Sequence, residues 1–297
     1  KEGRGFRPIM SLRKRQASRS AAVQQPSFPG ILRHIDLEPH KTIRLAVSGD
    51  VPLSRLEVRL LDTPQLQRLR RIRQLGAACW VYPTALHTRF DHSLGTLEMT
   101  QRMIGAIRAN LAVPPAERAI APEQEQLARL FALLHDVTHI PFGHTIEDEF
   151  CIFPRHDGDA ARIERFLGED STPGRLVLEG LGREIHGRLL ALFRAAAGLA
   201  APAEEDHFIL DLIAGTICAD LLDYLRRDAF FCNIALDADY RFLRHLAIVP
   251  RERRRRLVIR LWKQGAATPR RDVLNELIRL LDNRYLLGER VYFHHAK

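Results

Sequence analysis

The pattern of apolar positions changes character once along this chain, from extended to helical. Residues 34 to 54 read as extended structure with a turn at Ser48-Gly49-Asp50. Thr63-Pro64 predicts a helix start, because Thr caps and Pro fits the first helical position. Leu66, Leu69, Ile72 and Leu75 give that helix an apolar face, and Gly76 closes it. Further helices are predicted over 93–112, 123–139, 144–150, 157–167, 185–197 and 208–231, and Pro141 ends the one that carries His135. The stretches 113–122 and 198–206, rich in Pro, Ala and acid, read as loops. Leu257 to Trp262 predicts a short strand, and Thr268-Pro269 opens a helix that runs to about Asn283. We find no internal repeat. The expected architecture is a mainly α helical bundle with a small N-terminal β-hairpin and a short C-terminal α/β extension.

One helix end interrupts this apolar pattern. The run Leu127 to Leu134 leads directly into His135-Asp136. A buried charge or unpaired polar group is costly, and a divalent metal is the usual compensation for such a pair. His92 and Asp220, distant in sequence, are the candidate completing ligands. Imidazole and carboxylate together suit iron, manganese, zinc or magnesium without selecting among them. Such a set leaves positions open for water and substrate, as phosphoester hydrolysis needs. The plain alternative is that His135-Asp136 only caps a helix. His135 and His139 stand four apart, so a continuous helix would place them on one face. Asp220, Tyr224 and Asp228 fall at i, i+4 and i+8 on one stripe. A salt bridge from Asp220 to an arginine is the simpler account of that aspartate. His139, His144 and His156 titrate near neutral pH and are candidate proton carriers.

Composition narrows the classes. The chain has 297 residues, 46% hydrophobic and 27% charged, within the range of globular domains. No apolar run reaches the ~18–20 residues of a membrane span, and no secretory signal is visible. Cys79, Cys151, Cys218 and Cys232 lack CxxC spacing and read as reduced structural thiols, so a cytoplasmic protein is expected. The net charge of +9 suits a polyanionic ligand. Its main runs are Arg251 with Arg253 to Arg256, the group Arg68, Arg70, Arg71 and Arg73, and the N-terminal segment. Each also reads simply as a solvated face. Residues 1–28 read as a disordered basic leader. The segment Tyr285 to Lys297 stops without a terminating signal, so further chain is expected.

Five blocks together resemble the HD-domain phosphohydrolases, and among them the deoxynucleoside triphosphate triphosphohydrolases. They are Asp62 to Gly76, His87-Thr-Arg-Phe-Asp-His-Ser-Leu-Gly95, His135-Asp-Val-Thr-His-Ile-Pro-Phe-Gly-His144, Arg155-His-Asp-Gly158 and Asp220-Leu-Leu-Asp-Tyr-Leu-Arg-Arg-Asp228. Asp91 stands where the relatives often carry Glu. The resemblance implies one divalent metal on His92, His135, Asp136 and Asp220. It implies that His139, His144 and His156 line the phosphate site and serve water attack and leaving-group protonation. Arg89 would grip a phosphate, Tyr224 and Asp228 would meet the sugar, and Gln74 and Tyr292 are further sugar contacts. The implied domains are an HD domain over 29–240 and an α/β extension over 241–297 that packs on it and is cut short. The implied reaction is hydrolysis of a dNTP to deoxynucleoside and inorganic triphosphate, in a homo-oligomer with a nucleotide activator. Two alternatives stand beside it. One is an HD phosphohydrolase acting on nucleoside monophosphates, cyclic nucleotides or alarmones. The other is a nucleic-acid-binding protein that uses Arg253 to Arg256 and the basic leader, with affinity that falls steeply with salt.

Overall fold

The computed structural model describes residues 35–294 apart from 157, 238 and 264. The basic leader, His34 and Asp157 therefore lie outside the described residues. Strands β1 (Lys41–Leu45) and β2 (Gly49–Leu53) form an antiparallel hairpin, with Lys41 opposite Leu53 and Leu45 opposite Gly49. Val51 and Leu53 of β2 turn fully into the core. Helix α1 (Arg55–Leu61) follows at once. Ser54 and Glu57 start it by exchanging side-chain and backbone hydrogen bonds, a capping box.

The predicted helix over Thr63 to Gly76 is instead a short α2 (Pro64–Gln67) that tightens into a 3-10 turn over Arg68–Arg71. It ends because the backbone changes partners. Arg89 N–H donates to the Ile72 carbonyl at 2.9 Å and Gln74 N–H to the His87 carbonyl at 3.0 Å. A helix cannot keep groups that are pairing sideways with another segment.

That segment begins α3 (Arg89–Ala109), the central helix. Thr88 caps it, and the Asp91 carboxylate accepts from Thr88 N–H at 2.8 Å. Asp91 thus does at the helix start what Glu would also do. Leu94, Leu97, Met103, Ile104 and Ile107 of α3 are buried. A short α4 (Pro115–Arg118) precedes α5 (Pro122–Leu134), which packs on α3 and buries Leu127, Leu130 and Phe131. Each such leucine contributes about 1.5–3 kcal/mol by leaving water. Helix α5 stops at Leu134, earlier than its apolar run suggested, and His135 to Gly143 continue as turns.

The chain then forms α6 (Ala160–Leu167), α7 (Thr172–Leu181) and α8 (Arg183–Ala196). Helix α7 was not predicted, although Ser171 caps it and Pro173 lies in its first turn. The single helix expected over 208–231 is two, α9 (His207–Ala214) and α10 (Ala219–Phe231). The break falls at Gly215, whose missing side chain would lie 2.4 Å from the Asp211 carbonyl oxygen. Cys218 caps the new helix and so sets Asp220 in its first turn. Helix α10 packs against α3.

Strands β3 (Leu246–Arg251) and β4 (Arg254–Ile259) form a second antiparallel hairpin, and α11 (Arg271–Leu287) packs on α10. The strand begins three residues before its predicted start, so the arginine run lies in the hairpin. Glu252 and Arg253 turn it with φ of 51° and 67°, the left-handed pair that a two-residue hairpin loop needs. Arg256 grips Asp211 through two hydrogen bonds of 2.7 and 2.8 Å. Arg255 reaches Gln124 at 3.0 Å, and Arg260 pairs with Glu117. These arginines tie the hairpin to the bundle, which weakens the case for a nucleic-acid surface here. Among the described residues no helix is long and apolar enough to cross a membrane.

Candidate active site

The residues that matter meet where α3, the end of α5 and the start of α10 converge. His92 lies in the first turn of α3, His135-Asp136 directly after α5, and Asp220 in the first turn of α10. Their donor atoms form a tight group. His92 Nε2 stands 2.9 Å from Asp220 Oδ1 and 3.2 Å from His135 Nε2. His135 Nε2 stands 3.8 Å from Asp220 Oδ1 and 3.7 Å from Asp136 Oδ1, and Asp136 Oδ2 lies 3.9 Å from His92 Nε2.

His92, His135 and Asp220 bring three donor atoms within 4.8 Å of one another, a set that a divalent ion fits, and the Asp136 carboxylate lies at its edge. Ligand atoms about 2.1 Å from an ion stand roughly 3.0–3.4 Å apart along the edges of an octahedron or tetrahedron. His135 Nδ1–H donates to the Ala132 carbonyl at 2.7 Å, so in the neutral ring its Nε2 is a bare lone pair. That lone pair faces the other imidazole and two carboxylates, an arrangement that repels itself unless positive charge lies between. His92 responds to the same field. Burial opposes its charge, but hydrogen bonds to Asp220 and Asp223 with their negative charge raise its pKa to about 10.

A second group lies beside the first. Asp136, His139 and His156 bring three donor atoms within 4.8 Å of one another. The rings of His139 and His156 stack at 3.9 Å, and His144 lies 5.2 and 5.7 Å from them. His139 does not share a helix face with His135, because the helix has ended and a turn intervenes. His139 Nδ1–H donates to the Ile140 carbonyl at 3.0 Å, leaving a buried Nε2 without a hydrogen-bond partner. Gly143 allows this packing, since a Cβ there would stand 2.1 Å from His139 Cε1. Burial and then the Arg89 charge push His139 well below the ordinary histidine range, and the same two causes lower His144. Carboxylates orient the outer two rings, Asp148 on His144 Nδ1 at 2.9 Å and Glu147 on His156 Nδ1 at 2.6 Å.

Arg89 joins the groups. It donates to Asp136 Oδ2 at 2.9 Å and to the Gln74 carbonyl at 3.3 Å, while its Nε stays buried without a partner. Burial works against charge on Asp136, but Arg89 and the surrounding histidines outweigh it and hold that carboxyl well below the usual range.

The site opens into a cleft of about 810 Å³. Gln74, Arg89, His135, Asp136, His144, His156, Asp220, Tyr224, Asp228 and Tyr292 all line it, with His92 and His139 set behind its wall. Arg73, Arg155 and Arg284 add positive charge to the lining. Asp228 is held at both oxygens, by Tyr292 Oη at 2.8 Å and His87 Nε2 at 2.8 Å. His87 was not singled out from sequence, although the block His87 to Gly95 contains it. Asp223 was passed over too, and it is this aspartate, not Asp220, that pairs with an arginine, Arg227, at 2.7 Å.

The fold and this site have recognisable relatives. The HD-domain family model matches residues 89–227. Over 196 residues the chain is 30% identical to an uncharacterized protein of Methanocaldococcus jannaschii, covering 66% of this chain and 35% of that one. Over 232 residues it is 27% identical to human deoxynucleoside triphosphate triphosphohydrolase SAMHD1, covering 71% of this chain and 36% of that one. The crystal structure of a hypothetical protein from Aquifex aeolicus, 30% identical, matches with a TM-score of 0.64 over 86% of this chain and 60% of that one. Residues 89–227 are an HD domain. The chain spans little more than a third of the length of these curated relatives.

Proposed function

We propose that this protein is a metal-dependent phosphohydrolase that cleaves deoxynucleoside triphosphates into deoxynucleoside and inorganic triphosphate. The observation that carries the reading is that three of the four candidate metal donors, His135, Asp136 and Asp220, line one cleft together with four arginines, Arg73, Arg89, Arg155 and Arg284. Guanidinium forks suit phosphate oxygens, and several of them suit a chain of phosphates better than a monoester. The similarity to SAMHD1 supports the same choice.

His92, His135, Asp136 and Asp220 would hold the ion. A divalent ion in such a set polarises a phosphoryl oxygen and makes water a better nucleophile. The remaining work falls to the protein. Water attacks the α-phosphorus, the bond from phosphorus to the 5′-oxygen breaks, and that oxygen takes a proton. His144 is the donor of that proton: it lines the cleft, Asp148 fixes its ring through Nδ1, and a lowered pKa makes its imidazolium, once formed, the stronger acid. His156, in the cleft lining, and His139, stacked behind it, carry the proton released by water. Arg89 and the three further arginines stabilise the charge of the triphosphate group as water adds to it. Tyr224 and Asp228 meet the sugar, with Tyr292 and Gln74 beside them, and each Asp228 oxygen retains a lone pair for a hydroxyl.

A product assay tests this. The protein and an Asp136→Ala control are incubated with each of the four dNTPs and manganese, and products are separated by anion exchange. Deoxynucleoside and intact triphosphate, absent from the control, are the expected outcome. Release of monophosphate or orthophosphate would instead indicate attack elsewhere on the phosphate chain and overturn the reading.

A further inference from the structure

We infer that Asp223, held by Arg227 and Ser48, is the positioning residue that aims His92 at the shared point, so that metal affinity depends on it. The inference rests on the reading of His92, His135, Asp136 and Asp220 as a metal set.

The geometry begins at the far side of the imidazole. His92 Nδ1 lies 2.8 Å from Asp223 Oδ2, while its Nε2 meets Asp220 and His135. Asp223 contacts the ring nitrogen away from the shared point, so it acts through His92 and is not itself a ligand. Donation from Nδ1–H fixes the tautomer and leaves the Nε2 lone pair for a cation. A carboxylate behind a metal-bound histidine works in this way, and it also makes the imidazole a better donor.

Asp223 is in turn immobilised. Arg227 donates to it twice, Nε to Oδ2 at 2.9 Å and Nη2 to Oδ1 at 2.7 Å. The same Nη2 donates to Ser48 Oγ at 2.8 Å, and that hydroxyl lies 3.4 Å from Asp223 Oδ1. Ser48 sits in the turn between β1 and β2, and its carbonyl accepts from Arg102 Nη2 at 3.3 Å. The N-terminal hairpin therefore braces the site from outside. Gly95 makes room for the brace. A Cβ there would stand 2.0 Å from Arg227 Nη2 and 2.1 Å from Asp223 Oδ1. Glycine is a poor choice for a helix interior on propensity alone, and here it is the gap through which the pair reaches α3.

Both members of the pair are almost fully buried, Asp223 at 3% and Arg227 at 1% exposed. A buried ion pair stabilises a fold little better than apolar side chains of similar volume. Its effect on the imidazole it touches is the stronger account of it.

The test uses the full chain, stripped with chelator and titrated with manganese(II) by calorimetry. Wild type is compared with Asp223→Asn and with the double variant Asp223→Asn/Arg227→Met, which leaves no unpaired buried charge. The expected result is about 10–100-fold weaker manganese binding in Asp223→Asn. The double variant recovers the melting temperature of the metal-free protein but not the affinity. Unchanged affinity in Asp223→Asn overturns the inference and leaves the metal set standing. Wild-type affinity in the double variant overturns it as well, because the single variant's loss would then be one of folding. A wild type that binds no manganese overturns the metal reading and this inference together.

Discussion

Two histidine groups lie side by side in this molecule, and they answer the same burial in opposite ways. His92 is surrounded by Asp220, Asp223 and Asp136, and its pKa rises to about 10. His139 is just as buried, but Arg89 faces it and its neighbour His156 brings more positive charge, so its pKa falls well below the ordinary range. One group is built to attract a cation. In the other, burial and the Arg89 charge favour the neutral forms of His139 and His144, and the buried His139 Nε2 has no hydrogen-bond partner. Arg89, bonded to Asp136, stands at the boundary between them. Side-chain type therefore says little about the role of a histidine, and the charges within a few ångströms decide it.

The largest effect should come from breaking the cation group. Asp136→Ala should reduce turnover to background and abolish stoichiometric manganese binding, measured by calorimetry. Loss of one ligand should exceed the roughly 10–100-fold effect of an outer partner. Retained metal binding in that variant would dissolve the distinction between the groups.

Next comes the group around His139 and His144. His144→Ala should lower kcat by about 10²- to 10⁴-fold, the usual worth of a general acid, with manganese affinity unchanged. Its side chain is half exposed, so the fold should survive, as circular dichroism would verify. A matching loss of metal would show that the two groups act as one.

The response to pH sharpens the contrast in metal-free protein. His139 has a lowered pKa, so the unfolded chain binds more protons than the folded one as pH falls below the ordinary histidine value of 6.5. Its neutral burial adds stability above that pH, and this is lost as pH falls, by up to about 1.4 kcal/mol per unit. His92 has a raised pKa, so its contribution is complete below 6.5 and is lost as pH rises through about 10. Melting curves of His139→Asn should show less acid sensitivity than wild type. Equal sensitivity would place the acid-labile group elsewhere.

The smallest effect marks the baseline. Arg256→Ala removes a partly exposed pair with Asp211 and should cost at most about 1 kcal/mol in urea unfolding, with kcat unaltered. A change in kcat would make the second hairpin part of the site.

Much of this molecule was legible without coordinates, for physical reasons that particular residues illustrate. The apolar runs of α3 and α5 are local matters of burial period, although α3 begins at Arg89, four residues before its predicted start. They are written in neighbouring residues, as is the helical stripe of Asp220, Tyr224 and Asp228. The helix ends were harder. The 63–76 segment, the exit of α5 and the break at Gly215 each depend on backbone groups finding partners far along the chain, or on a helix that has no room to continue. Sequence spacing set His135 and His139 on one face, and the turn after Leu134 sent them to different groups.

The sequence by itself determined the helical class, the family motifs and the set of chemically capable residues, because these follow from local propensity and residue type. Only the tertiary structure decided which of those residues share a field. It put Asp223 behind His92, Arg89 against Asp136, and His87 with Tyr292 on Asp228, all across long sequence separations. Electrostatic character depends on distance in space, and that distance exists only once the chain has folded.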